Sequence, residues 1–338
     1  MSGGHTTVLV TGAAGFIGYH VTTALLERGE RVLGIDNLND YYEVSLKEAR
    51  LARLQARSGF AFERADIADR AAMADLFGRE PSIDRVVHLA AQAGVRHSLV
   101  DPYIYLHSNI DGHVVLLEAA RRLPGLLHFV YASSSSVYGG NVEMPFSVAH
   151  RCDHPVSLYG ATKKAMEAIG ESYAAMYGMP LTGLRFFTVY GPWGRPDMAA
   201  FIFTRRILEG RPIPVFNHGE MRRDFTFIDD IVAGLLNCLD RPPAGDGGRG
   251  GLDTGGGRQR LYNLGNHRPE RLLDFIAALE AALGLEADID LQPLQPGDVQ
   301  ATWADIEASR RDLDFAPATP IGEGIPRFVA WYREYYGV

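Results

Sequence analysis

The first twenty residues constrain the fold of this 338-residue chain more than any other stretch. The segment VLVTGAAGFIGYH passes from an apolar, β-branched run through Gly12, Gly15 and Gly18 into a pattern with helical periodicity. Glycines at this spacing permit a tight turn, a close approach of backbone to ligand, and close packing of the helix on the strand. The N-terminus of that helix then faces bound phosphates. The pattern therefore predicts a dinucleotide-binding turn directly after the first strand.

Strand and helix patterns alternate through the first half of the chain. Predicted strands cover 7–10, 31–36, 60–65, 85–89, 129–133 and 181–187. Predicted helices cover 16–28, 45–56, 70–77, 104–122 and 159–177. This rhythm predicts an α/β fold, a Rossmann-type doubly wound parallel sheet, with ligands beyond the carboxyl ends of the strands.

Beyond residue 188 the pattern loosens into shorter elements and loops rich in proline and glycine. We predict a dinucleotide-binding domain at 1–187 and a smaller α/β substrate-binding domain at 188–338. A helix near 228–240 is a candidate to pack back onto the first domain. The segment 241–260 holds eight glycines and little to bury, so we expect a surface insertion there.

Composition narrows the possible partners. A net charge of −8 argues against nucleic acid, and no apolar run approaches the ~20 residues of a membrane span. Cys152 and Cys238 give neither a disulfide framework nor a zinc spacing, and the histidines show no metal-ligand spacing. We therefore expect a cytoplasmic protein with no metal, no membrane and no nucleic acid among its partners.

Two carboxylates follow predicted strands. Asp36 ends the second strand, where an acidic side chain accepts hydrogen bonds from a ribose 2′-hydroxyl and repels a 2′-phosphate, which favours NAD over NADP. Asp66 follows the third strand and has two possible roles. It could border an adenine pocket, or it could cap the helix that begins at Arg70.

Tyr159 and Lys163 lie four residues apart and so share one face of a predicted helix. A phenol of pKa about 10 must be lowered by roughly 3, about 4 kcal/mol, to act as a base near neutrality. A neighbouring ammonium and the positive nicotinamide ring can supply much of that change. Alternatively, the two are ordinary exposed polar residues.

Together with Ser134 and the glycine turn, this Tyr-x-x-x-Lys pair resembles the extended branch of the short-chain dehydrogenase/reductase superfamily. The resemblance implies that Ser134 holds the substrate hydroxyl while Tyr159 moves its proton. It also implies a set of cofactor-side residues, including the loop HLAAQAGVR and Asn109. The implied cofactor contacts include the three glycines, Asp36, Asp66, Tyr159 and Lys163. The others are Phe16, Ile17, Asn37, Ile67, Leu89, Ala90, Ala91, Gln92 and Asn109.

Nearly the whole chain resembles the sugar-nucleotide epimerases of that branch. The likeness implies a UDP-sugar substrate, with Arg223 in RRDFTFIDDI on the diphosphate and Asp298 on the uridine ribose. Val215 and Phe216 are further implied substrate contacts. The related 4,6-dehydratases and UDP-xylose synthases carry an acidic residue near the VYG segment, where this chain has Ser135 and Ser136. Simple epimerisation is therefore the expected chemistry.

The stretch RFFTVYGPWGRPDM closely resembles UDP-glucuronate 4-epimerases, which implies that Thr188 and Arg195 meet the sugar carboxylate, with Ser135 and Ser136 adding contacts. The expected reaction is NAD-dependent inversion of C4, from UDP-glucuronate to UDP-galacturonate, through a 4-keto intermediate. Loop-stabilising roles for both residues, a 4-epimerase for neutral or N-acetylated UDP-sugars, and a non-catalytic NAD-bound sensor remain alternatives. A homodimer is implied by the resemblance alone.

Overall fold

The computed structural model describes residues 6–243, 259–294 and 300–338. The strands are β1 Thr7–Thr11, β2 Arg31–Asp36, β3 Phe60–Arg64, β4 Ile83–His88, β5 His128–Ser134, β6 Leu181–Phe186, β7 Thr188–Tyr190, β8 Ile213–Val215, β9 Arg222–Phe227, β10 Gln259–Leu264, β11 Pro269–Arg271, β12 Ile289–Leu291 and β13 Ala301–Thr302. The helices are α1 Phe16–Glu27, α2 Val44–Gln55, α3 Arg70–Arg79, α4 Tyr103–Tyr105, α5 Gly112–Ala120, α6 Leu158–Tyr177, α7 Ala199–Leu208, α8 Ile228–Leu239, α9 Leu272–Leu283, α10 Glu307–Leu313 and α11 Ile321–Tyr336.

The main sheet has seven strands in the order β10-β6-β5-β4-β1-β2-β3, and every pairing is parallel. Strand β1 lies between β2 and β4, so the order of connection reverses at the carboxyl end of β1. In open α/β sheets this reversal leaves a crevice in which ligands bind. The predicted doubly wound fold is confirmed, and the glycine turn lies at its switch point.

Two apolar clusters cover the two faces of this sheet. Val8 and Val10 of β1 belong to one cluster, and Leu9 belongs to the other. Successive side chains of a strand point to opposite faces, so a strand buried on both sides reads as a continuous apolar run. The first cluster extends into the C-terminal half, where β9 pairs with β7, β11 and β13. No helix in the described ranges is long and apolar enough to cross a membrane.

The six predicted strands and most helices are present, with ends that differ by one or two residues. The predicted helix at 104–122 differs most, because it is interrupted. A π-helical stretch, Leu106–Asp111, separates α4 from α5 and places Asn109 inside the protein. An extra residue per turn re-aims side chains, and here it lets the Asn109 amide reach the backbone of Gln92.

The predicted boundary at residue 187 does not coincide with an edge of the main sheet. Strand β10 returns to pair with β6, so Gln259 and Arg260 belong to a buried strand, not to the predicted surface insertion. The rest of that insertion, 244–258, lies outside the described residues. Helix α8 ends beside β5, where the carbonyl of Leu239 meets Nδ1 of His128 at 3.1 Å.

Candidate active site

The glycine turn packs so tightly that larger residues would not fit. Gly12 has φ of +71°, and a Cβ atom there would lie 2.8 Å from the backbone nitrogen of Ala90. A Cβ on Gly18 would lie 1.9 Å from the carbonyl oxygen of Gly12. The absence of side chains lets α1 begin directly against the end of β1 and leaves its N-terminus open to a ligand.

The two carboxylates beside this turn differ in environment. Asp36 is buried, which raises the pKa of its carboxyl, and it accepts hydrogen bonds from the backbone N–H groups of Ala14 (3.1 Å) and Leu38 (2.8 Å). Asp66 does not cap α3; that role belongs to Asp69, which accepts from two backbone N–H groups. The capping alternative for Asp66 was therefore wrong, and its side chain faces a cavity instead.

The serine row is ordered and not a linker. Ser134 ends β5, and its hydroxyl accepts a hydrogen bond from the backbone N–H of Ser136 at 3.1 Å, which caps a short 3₁₀ turn. Tyr159 lies in the first turn of α6, which Ser157 caps through the N–H of Gly160 at 3.0 Å. The carboxyl end of β5 and the start of α6 thus bring two hydroxyls together.

Burial has the largest effect on the pKa values of Tyr159 and Lys163. It raises the pKa of the Tyr159 phenol, while the Ser134 hydroxyl and the charge of Arg195 act in the opposite direction. It also lowers the pKa of Lys163 to about 7. The Lys163 amine donates to the carbonyl of Ala132 at 2.8 Å. That its charge lowers the pKa of Tyr159 when the cofactor is bound stays a prediction.

A buried ion pair lies behind these residues and was missed at the sequence level. Glu167, one turn beyond Lys163 on α6, accepts two hydrogen bonds from Arg185 of β6, both at 2.8 Å. Their side chains are 2% and 1% exposed. The Ser133 hydroxyl donates to the same carboxylate at 2.7 Å. The pair thereby ties α6 to the strand ends that carry the hydroxyls.

The candidate carboxylate ligand Arg195 lies in the loop after β7 and is held by Asp197. Its Nε and Nη2 donate to the two oxygens of Asp197 at 3.0 and 2.5 Å, and the Tyr41 hydroxyl donates to Asp197 at 3.1 Å. Neither Asp197 nor Tyr41 was predicted. The only hint was the Arg-x-Asp spacing in RPDM, which is too common to single out on its own.

The backbone of the same loop is anchored by Arg50 of α2, which is fully buried. One end of its guanidinium donates to the carbonyl of Ala14 in the glycine turn at 3.0 Å. The other end donates to the carbonyls of Trp193 (2.7 Å) and Gly194 (3.1 Å). Arg50 therefore connects the glycine turn directly to the loop that carries Arg195.

One cavity of about 910 Å³ at the carboxyl edge of the main sheet is bordered by the glycine turn, the two carboxylates, the serine row, Tyr159, Lys163 and Arg195. Arg50, Glu167 and Arg185 are not part of its lining. Of the predicted site residues that the structure describes, all but Asn109 and Val215 line it. Asn109 lies behind the wall, bonded to Gln92 and Thr162. Val215, the last residue of β8, is fully buried, and Phe216, which follows it in extended backbone, lines the cavity. Asp298 lies outside the described residues.

The cavity is large enough for a dinucleotide and part of a second ligand, since drug-sized ligands occupy ~300–1,000 Å³. The chemistry of its lining is mixed. The glycine turn, Asp36 and Asp66 suit phosphates and ribose hydroxyls. Arg195 and Arg223 suit an anionic ligand. Tyr159 also lines the cavity.

Comparison with known proteins identifies the family. A model described as the NAD dependent epimerase/dehydratase family matches residues 8–265. The chain belongs to this family. Epimerases and dehydratases of this group are similar to it along nearly its full length.

A relative from Arabidopsis thaliana, named UDP-glucuronate 4-epimerase 3, is 51% identical over 334 residues, covering 98% of this chain and 77% of the relative. A crystal structure of UDP-glucuronic acid 4-epimerase from Bacillus cereus, in complex with UDP-glucuronic acid and NAD, is 33% identical with a TM-score of 0.85. That match covers 98% of this chain and 100% of the other.

A UDP-glucose 4-epimerase from Thermotoga maritima, solved with UDP-glucose, is 30% identical with the same TM-score of 0.85. It covers 98% of this chain and 100% of that one. The fold of this epimerase family member therefore does not by itself distinguish a charged sugar from a neutral one. That distinction depends on the side chains that line the cavity.

The residues at the glycine turn fit the family's NAD cofactor on structural grounds. Gly12, Gly15 and Gly18 carry no side chains where the turn meets α1, and the buried Asp36 carboxylate borders the same cavity. Lys47, one of three lysines in the chain, was not predicted for the site. Its amine donates to the backbone and side-chain oxygens of Asn39 (2.6 and 2.5 Å), which stabilises the loop after Asp36.

Proposed function

We propose that this chain inverts C4 of a UDP-hexuronic acid, interconverting UDP-glucuronate and UDP-galacturonate with NAD as cofactor. The observation that carries the proposal is the position of Arg195. Its guanidinium lines the same cavity as Ser134, Tyr159 and Lys163, and it lies close enough for its charge to lower the pKa of Tyr159. A cation beside the proton-transfer group suits a substrate whose carboxylate is next to the reacting carbon.

Ser134 and Tyr159 carry out the proton transfer. Tyr159 takes the proton of the C4 hydroxyl, and the Ser134 hydroxyl donates to the oxygen as it becomes a carbonyl. Bound NAD would accept the C4 hydride and return it to the opposite face of the sugar. Because burial raises the pKa of Tyr159, the phenol needs positive charge nearby to ionise. The charge of Arg195 acts in that direction, and the charge of Asp197 acts against it.

Arg223 holds the diphosphate while the sugar turns over. Its side chain lines the cavity, and its guanidinium also contacts the backbone carbonyls of Arg222 and Gln300. A guanidinium fixed to backbone can hold an anion in one place. The keto sugar can then rotate about its link to the diphosphate and present its other face.

Thr188 and Arg195 keep the carboxylate in place during this step. A 4-keto uronate is a β-keto acid, and it loses CO₂ most easily when the breaking C–C bond is parallel to the carbonyl π orbitals. Ligands that hold the carboxylate away from that alignment suppress the loss through orientation. Thr188 begins β7, Arg195 follows it in the next loop, and both line the cavity.

Proton NMR of the purified protein with UDP-glucuronate and with UDP-glucose tests the proposal. We expect UDP-galacturonate to accumulate to a constant ratio without UDP-pentose, and UDP-glucose to react far more slowly. Arg195→Met should lower activity toward UDP-glucuronate and raise the UDP-pentose fraction. Conversion of UDP-glucose alone would contradict the carboxylate site and support the neutral-sugar alternative.

We further propose a homodimer located in the cytoplasm. Leu99, Val100 and Tyr103 are 79%, 79% and 78% exposed and follow one another around the start of the α4–α5 segment, with Leu106 beside them. Exposed apolar side chains so close together in the chain suit an interface between two copies, although Val100 also lines the cavity. Both cysteines are buried free thiols, as expected in a reducing compartment. Sedimentation should give a dimer for the native chain and a monomer for Tyr103→Glu/Leu106→Glu.

A further inference from the structure

Arg195 is held along only one edge. A guanidinium has two edges that can each bind a carboxylate with two hydrogen bonds, and Asp197 occupies the edge formed by Nε and Nη2. Within the described residues, Nη1 makes no hydrogen bond, and both side chains line the cavity. Asp197 therefore leaves one nitrogen of Arg195 available to a second anion.

Asp197 is itself oriented by Tyr41, which belongs to the loop between β2 and α2. The Tyr41 hydroxyl donates to Oδ2 of Asp197, the same oxygen that binds Nη2 of Arg195. The Tyr41 ring packs against His97 at 4.8 Å between centroids and against Tyr42 at 6.1 Å. The ring has little freedom, so the hydroxyl defines where the carboxylate, and with it the guanidinium, can lie.

The same part of the chain holds the loop's backbone. Arg50 lies in α2, the helix that follows Tyr41, and it donates to the carbonyls of Trp193 and Gly194, the two residues before Arg195. Residues 41–50 thus fix the Arg195 loop at its backbone through Arg50 and at its side chain through Tyr41. This segment follows Asp36, so the part of the chain beside the cofactor-binding residues also positions Arg195.

We propose that Tyr41 and Asp197 are positioning residues that orient Arg195 toward the carboxylate of the substrate, an inference that rests on the proposed function. Together they determine the preference for a charged over a neutral sugar and the retention of CO₂. If Arg195 could swing freely, its guanidinium would bind the carboxylate more weakly and could not hold it in one plane.

The side reaction that this arrangement prevents is decarboxylation of the 4-keto intermediate. Once C4 is oxidised, loss of CO₂ breaks the C5–C6 bond and its electron pair forms an enolate across C5 and C4. A proton then adds to C5, and return of the hydride to C4 yields a UDP-pentose. The oxidant is the NAD of the epimerisation itself, so no further reagent is required.

Two substitutions test the inference, each with a matched control. Tyr41→Phe removes only a hydroxyl, and Asp197→Asn removes the charge while keeping the shape. Tyr336→Phe removes a similar Tyr–carboxylate bond, to Glu43 at 2.8 Å, outside the cavity. Asp153→Asn breaks an Arg-x-Asp pair of the same spacing, with Arg151, on the surface.

We expect Tyr41→Phe to lower kcat/KM for UDP-glucuronate about tenfold, the effect of one hydrogen bond to a charged group. Asp197→Asn should have a larger effect, and both should raise the UDP-pentose fraction. Bound NAD and affinity for UDP should stay unchanged, as should every property of the two controls. A general loss of NAD and UDP binding would instead indicate a structural role and overturn the inference.

Calorimetric binding separates this inference from the proposed function. The native chain should bind UDP-glucuronate more tightly than UDP-glucose, and the two variants should lose that preference. If the native chain has the preference and the variants keep it, the positioning role is wrong while the proposed function stands. If the native chain itself has no preference, both are wrong.

Discussion

Removing the charge of Glu167 should destabilise the protein more than almost any other conservative substitution. Glu167 and Arg185 are 2% and 1% exposed and share two hydrogen bonds of 2.8 Å. Breaking a buried ion pair on one side typically costs about 3–5 kcal/mol, because the remaining charge has no partner. Since glutamine retains one acceptor for Arg185, we expect about 3 kcal/mol for Glu167→Gln, measured by urea unfolding followed by circular dichroism.

The double variant Glu167→Gln/Arg185→Met provides the sharper measurement. With both charges gone, no buried ion remains, so the double variant should lose less than the sum of the two single losses, by about 2 kcal/mol or more. Glu63→Gln, which breaks the exposed pair with Arg79, should leave the unfolding midpoint unchanged. A loss below about 1 kcal/mol for Glu167→Gln, or strict additivity, would refute the reasoning.

Glu167→Gln should also change the pH dependence of stability and the kinetics of catalysis. Burial alone would raise the pKa of Glu167, but Arg185, together with Lys164 and the Ser133 hydroxyl, outweighs it and holds that pKa below its usual range. The carboxylate therefore stabilises the fold at all pH values above its ordinary pKa, and this contribution disappears only in acid, as pH falls through the lowered value. Because Ser133 donates to Glu167 and precedes Ser134, kcat should fall more than KM rises.

Three further outcomes are expected. Burial lowers the pKa of Lys163 from 10.5 to about 7, so the unfolded chain binds more protons between these two pH values. In urea unfolding, Lys163→Met should therefore be more stable than the native chain at pH 7 but not at pH 10. The variant should be inactive. Gly18→Ala places a Cβ 1.9 Å from Gly12, so bound NAD should be lost on gel filtration, whereas Gly78→Ala, with open space around it, should keep it. Asp36→Ala should bind NADP about as well as NAD in fluorescence titrations, since the carboxylate that repels a 2′-phosphate is gone.

The sequence predicted the main sheet well because its strands are buried on both faces. Continuous apolar runs such as TVLVT and the glycine turn after it are strong local signals, and the structure confirms them. Strand β10 gave a weaker signal, since QRLYNL follows a glycine-rich stretch and pairs with residues far away in the chain. Pairing partners at that separation leave no local periodicity to read.

The candidate site shows the same division between local and distant information. Tyr159 and Lys163 could be recognised together because four residues on a helix share a face. Tyr41 and Arg50 could not, because each acts on a loop distant in sequence, and Asp197 could not, because an Arg-x-Asp spacing is too common to be distinctive. The interruption at Leu106–Asp111 also escaped prediction, because the apolar pattern around it continues at ordinary helical spacing.

The return of β10 to the main sheet has a consequence for how this chain can be made and altered. During synthesis, β6 emerges as an edge strand, and the N–H and C=O groups along its free edge stay unpaired until β10 is translated much later. An uncovered edge is a template for pairing with other chains. A fragment ending at residue 187 should therefore aggregate, and grafting a foreign C-terminal half onto this N-terminal half should succeed only if the graft brings its own seventh strand.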